Sequence, residues 1–197
     1  MREKHPMAIS QHYRGDQIAV DNFETRVAIY EDQVRGWFLD QARILEKVSS
    51  GAGFVILMVC LSYVEAYAIF YNGQDSKSKS ERFFCDGIKA IFPVSGGNAE
   101  LQDKGYQELW VQMRNGLFHT GMTREKVVPS GDFKAPIAVT MHIETQSPVR
   151  IEVNPHLMLG AIEDHLSRYT MRLRNPDEVE LRENFNKAWN LRFDTSL

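Results

Sequence analysis

The chain has 197 residues, of which 43% are hydrophobic and 25% charged. That composition excludes a disordered, collagen-like or coiled-coil chain and fits a single globular domain. With 23 Lys and Arg against 26 Asp and Glu the net charge is −3, so adhesion to nucleic acid or to an anionic membrane by overall charge is excluded, and any such binding needs a local patch.

Cys60 and Cys85 are the only cysteines. One pair without C-x-x-C spacing makes neither a disulfide framework nor a zinc site and points to a reducing compartment. The N-terminal stretch MREKHPMAISQHYRGDQ lacks the apolar segment of a secretory signal. The most hydrophobic run, Phe54 to Val64, is shorter than the about 20 residues that span a bilayer, and Glu65 follows it. These features predict a cytoplasmic protein that neither enters a membrane nor carries a cofactor.

Residues 1–15 are polar and without period, which predicts a loose arm ahead of one domain over 16–197. Val20, Phe23, Val27, Tyr30, Val34, Trp37, Ile44 and Val48 then recur on steps of three and four, with Gln41 as the one miss, and predict a helix burying one stripe. Gly51 and Gly53 punctuate the chain. Phe54 to Tyr71 is apolar on nearly every side and predicts a central helix ended by Asn72-Gly73. The run from Gln74 to Ser80 predicts a surface loop. A third helix is expected over Glu81 to Phe92, before Pro93. Ser95-Gly96-Gly97 reads as a turn, with Asn98 capping a fourth helix to about Phe118.

Ile137, Val139, Met141 and Ile143, then Val149, Ile151 and Val153, alternate with polar or small residues across a turn at Thr145 to Pro148. They predict one β-hairpin over about 136–153, too small to stand without the helices or a second subunit. Asn154-Pro155 opens a fifth helix with the stripe Leu159, Ile162, Leu166, Tyr169 and Leu173. Asn175-Pro176, with Glu178 in capping-box position, predicts a last helix to about Leu191. The expected fold is therefore all-α: a bundle of five to six helices with one inserted hairpin.

Phosphate-loop, zinc-helix and serine-nucleophile motifs are absent. His156 and His165 are nine residues apart, not the four that put two metal ligands on one helix face, so no metal is expected. The stretch Trp110 to His119 is richer. On an ideal helix Tyr106, Trp110, Met113 and Leu117 share an apolar side, and Glu108, Gln112, Asn115 and His119 form a polar stripe. Arg114 lies about 140° from His119. Either the helix loosens after Gly116, or the two residues work with groups outside it. An arginine beside a buried stripe needs a partner, as does Glu65 within the most apolar helix, and the two are expected to pair.

Arg114-Asn115-x-x-x-His119, near the end of a helix in a helical domain, resembles the signature of the HEPN superfamily (higher eukaryotes and prokaryotes nucleotide-binding). The order of elements over roughly 20–175 is similar to a subgroup with a hairpin insertion. The resemblance implies a metal-independent endoribonuclease, in a toxin–antitoxin pair or in phage defence. It implies a homodimer that brings two motifs together, with RNA as substrate and an antitoxin as a further partner protein. Arg114 and His119 would be catalytic, Asn115 assisting and Glu65 supporting. Arg124, Lys126 and Lys104 would form a basic rim for RNA, with Glu125 and Asp103 beside them. Histidine suits such chemistry because its unperturbed pKa is near neutrality, and arginine because its charged fork fits a phosphate. The alternative is a non-catalytic HEPN-like module that dimerises or binds a nucleotide or partner. In the blandest reading His119 caps its helix and Arg114 is a structural ion pair.

Overall fold

Asn22 opens the first helix by accepting a hydrogen bond from the Thr25 N–H (2.7 Å), as an N-cap should. From there the computed structural model, which describes residues 8–15, 22–93 and 98–193, is built mostly of helices. Helix α1 (Phe23–Val34) runs through a π-helical turn (Arg35–Leu39) into α2 (Asp40–Val48). Helix α3 (Gly53–Asn72) follows, then α4 (Ser80–Ile91). Helix α5 (Ala99–Leu109) passes through a second π-helical turn (Trp110–Arg114) into α6 (Asn115–Thr120). Strands β1 (Val127–Pro129), β2 (Ile137–Met141) and β3 (Pro148–Val153) precede α7 (Pro155–Arg174) and α8 (Val179–Arg192). Counting each π-turn with its flanks, the described residues form the six helices expected from the periodicity.

The first π-turn changes which residues are buried. The Asp40 N–H bonds to the Arg35 carbonyl five residues back, one more than in an α-helix, so the chain beyond it is rotated relative to an even winding. Leu39 and Ala42 are buried, while Trp37, Ile44 and Val48 face solvent. The expected stripe therefore holds at Val27 and Tyr30 and fails beyond Val34; Val20 lies outside the described residues.

Helix α3 sits at the centre, packed against α4, α7 and α8. It ends at Gly73 in the left-handed region (φ 63°), where a Cβ would also strike Asn184. The helix continues past Glu65 to 20 residues, so by length and composition alone it could cross a membrane; half of its most apolar window is buried inside the protein. Tyr30, Phe70 and Phe185 meet beside it, with ring centroids 4.6–5.5 Å apart. Asn154 caps α7 by accepting from the His156 and Leu157 N–H groups, and all five stripe residues of α7 are buried. The second Asn-Pro does not open a helix. Asn175 ends α7 and accepts from the Asp177 N–H, α8 starts at Val179, and Glu178 binds Arg172 (2.7 and 2.8 Å).

The hairpin forms as β2 and β3, antiparallel, with Val139 opposite Ile151. It is not alone: β1 pairs parallel with β3, giving a three-stranded sheet in the order β1-β3-β2. Three residues ending in proline carry too short a pattern to mark β1 in the sequence. Ile143 falls in the turn, the register slips between Thr140 and Met141, and Ile143 and Val149 are both exposed.

Residues 1–7 and the turn at Ser95-Gly96-Gly97 lie outside the described residues. Residues 8–15 of the expected loose arm lie against α1. Ile9 and Ser10 are buried, Ser10 Oγ and the His12 N–H donate to Asp32, and His12 Nδ1 is 2.6 Å from Asp32 Oδ1. Desolvation pushes the Asp32 carboxyl up, but these hydrogen bonds outweigh it and hold it below the usual range.

His165 is buried against Tyr67, its ring centroid 4.4 Å away, and its Nδ1 shares a hydrogen bond with the Tyr63 hydroxyl (2.9 Å). Burial, helped by Arg168 and Arg172, pushes the imidazole down to about 4. The unfolded chain takes up that proton at about pH 6.5, so stability is full above that pH and falls as the pH drops toward about 4. This group alone lowers the unfolding free energy by about 2–3 kcal/mol between pH 7 and 4.5. Denaturant titrations of wild type and His165→Phe at both values read the difference; equal losses in the two proteins would refute it.

Candidate functional site

The motif lies where the fourth long helix changes its winding. In the second π-turn the Asn115 N–H bonds to the Trp110 carbonyl, and the Gln112 carbonyl accepts from the Arg124 N–H (2.8 Å) in the loop that follows the helix. That loop passes so close that a Cβ on Gly116 would lie 2.6 Å from the Met122 carbonyl oxygen. The helix loosens before Arg114, not after Gly116; residues 115–120 are α-helical and end at Gly121 in the left-handed region.

Met113 and Leu117 are buried, as their spacing requires. Arg114 is directed at α3, where Nη2 donates to Glu65 Oε2 (3.0 Å), so the expected pair forms. Both side chains keep about a fifth of their surface open (20% and 18%), and the pair faces solvent on one side. Asn115 Oδ1 lies 3.5 Å from Arg114 Nη1, at the limit of a hydrogen bond. Arg114 Nε is buried without a partner among the described residues.

Two rings flank the guanidinium. Its carbon lies 4.5 Å from the Trp110 centroid and 4.9 Å from that of Phe118. Such cation–π contacts contribute about 0.5–1 kcal/mol each at exposed sites and hold the plane of the fork. The sequence contained this arrangement, since Trp110 and Phe118 stand four residues either side of Arg114; the reading of Trp110 as core alone missed it.

His119 is exposed in the last turn of α6, with no hydrogen bond or ion pair among the described residues and none joining it to Arg114. The expected polar stripe is broken by the π-turn: Gln112 is buried and donates to Glu108 (2.9 Å), while His119 stands apart. The basic rim is thinner than expected. Lys126 binds Glu108 (2.7 Å) and Lys104 binds Glu100 (2.9 Å), leaving Arg124 exposed and outside any ion pair among the described residues. The described residues hold no group of three His, Cys, Asp or Glu able to bind a metal ion, and His156 pairs with Glu46 (2.7 Å).

Chemically, the arrangement offers a fixed, permanently charged fork, an amide beside it, and an imidazole open to solvent on the next turn. Comparisons of this chain with family models, with curated proteins and with solved structures give no match.

Proposed function

We propose that this protein is a metal-independent endoribonuclease of HEPN type, acting as a homodimer whose paired motifs share one groove. The observation that carries the reading is the held Arg114 fork, fixed by Glu65 and two rings, five residues before a solvent-open His119 on the same helix. In this reading an imidazole takes the proton of the 2′-hydroxyl as its oxygen attacks the adjacent phosphorus. A proton is delivered to the departing 5′-oxygen, leaving a 2′,3′-cyclic phosphate and a 5′-hydroxyl. Two His119 residues, one per subunit, divide these roles. Arg114 stabilises the charge growing on the phosphoryl oxygens. Asn115 positions a phosphate oxygen or the imidazole. The open ring of Phe118 offers an unpaired base a stacking surface. A toxin or phage-defence role, with an antitoxin as partner in the first case, is part of the same proposal.

The pairing of Lys126 and Lys104 with carboxylates favours a second reading, a HEPN-like module that binds a partner without cleaving RNA. Incubation with single-stranded RNA in EDTA separates the two. Cyclic-phosphate ends from the wild type support the enzyme, and intact RNA at all protein concentrations excludes it. Glu65→Gln, which keeps a hydrogen bond but removes the charge, is expected to lower kcat about tenfold while leaving KM for RNA unchanged. An unchanged kcat would show that Glu65 serves folding only.

A further inference from the structure

Because the first π-turn rotates the helix beyond it, α2 carries an apolar stripe away from the core. Gln41, Ile44 and Val48 are spaced three and four apart, and Trp37 precedes them by one widened turn. Trp37 and Phe38 are each 43% exposed, Ile44 54% and Val48 73%. At the start of α3, Phe54 and Val55 are exposed as well.

The charges beside the stripe indicate what covers it. Asp40 stands at the start of α2 and Lys47 at its end, on the same flank of the seam, one heptad apart. Both are exposed, and among the described residues neither has an ion-pair partner. The other charged residues of the helix are committed elsewhere: Arg43 binds Glu163 (2.6 Å) and Glu46, and Glu46 binds His156. Laid antiparallel on a second copy of itself, the seam sets Gln41 against the partner's Ile44 and Trp37 against the partner's Val48. The same two-fold operation brings Asp40 toward the partner's Lys47, twice. A parallel pairing would put like charges level with each other.

The geometry points to α2 as a self-complementary contact along which two copies of this chain associate, antiparallel, through Trp37, Ile44 and Val48. This is a second contact, apart from the motif-face pairing that the nuclease reading requires, and it stands or falls without RNA. Sedimentation equilibrium on the full chain across about 1–100 µM tests it. Wild type is expected to self-associate beyond a dimer, through this contact and the motif-face pairing, and Ile44→Glu to weaken the α2 step at least about tenfold. Asp40→Lys and Lys47→Asp are each expected to weaken it about threefold or more, and the double exchange to restore it. Circular dichroism confirms that the variants, all at exposed positions, remain folded. A wild type that stays monomeric overturns the contact. So does association that is unchanged from wild type in Ile44→Glu and lost in Phe118→Glu, which would leave the motif face as the sole contact.

Discussion

His119→Ala is expected to abolish RNA cleavage while leaving the fold untouched. The side chain is exposed and forms no hydrogen bond or ion pair among the described residues, so its removal costs no packing and no partner. The melting temperature should stay within a degree or so of wild type, as for surface substitutions generally. The cleavage rate should fall by about 10²–10⁴, the range supplied by one general acid–base group. Arg114→Ala should cut the rate as deeply and carry a stability cost, because it also strips two ring contacts and the partner of Glu65. Arg114→Lys should recover stability better than rate, since an ammonium cannot lie flat between Trp110 and Phe118 or present a fork to a phosphate. Single-turnover cleavage beside thermal melts reads both columns. Full activity in His119→Ala would remove the imidazole from the chemistry and the proposed mechanism with it.

The second large effect lies in the core. Gly87 is where α4 crosses α3, and a Cβ there would stand 2.4 Å from the Val64 carbonyl oxygen and 2.9 Å from a Val64 methyl. Backbone cannot step aside as a flexible side chain can, so the two helices must separate. Gly87→Ala should lose about 1–3 kcal/mol, the usual cost of overpacking, despite alanine's better helix propensity. Urea unfolding measures it. A stabilised variant would mean that the helices part freely and that this crossing is loose.

The elements were largely legible because each announces itself locally. Asn98 and Asn154 cap their helices, Gly73 closes α3, and the stripe of α7 is buried throughout. The pairing of Glu65 with Arg114 was legible for a different reason: two charges in apolar surroundings have few other ways to be satisfied. What the sequence concealed was phase. A π-turn leaves no mark in the pattern of apolar residues, so Trp37, Ile44 and Val48 read as core when they face solvent, and Gln112 read as part of an open polar stripe when it is buried. The arm was concealed too. Ser10 and His12 look like surface residues until Asp32, 22 and 20 positions further on, is brought beneath them. Which lysines remain available was equally out of reach, since Lys126 is neutralised by a glutamate 18 residues earlier.

The turn at Trp110–Arg114 is what an even helix becomes when one surplus residue is squeezed into it. Its two halves therefore keep separate alignments: Trp110 meets Phe84 of α4, while Arg114 answers to Glu65 of α3. Deleting any one residue of that turn would let the winding close and swing one half by about 100° against the other. Trp110 and Arg114 could no longer both reach their partners. The reach of the guanidinium is thus written into the length of the chain as much as into its chemistry.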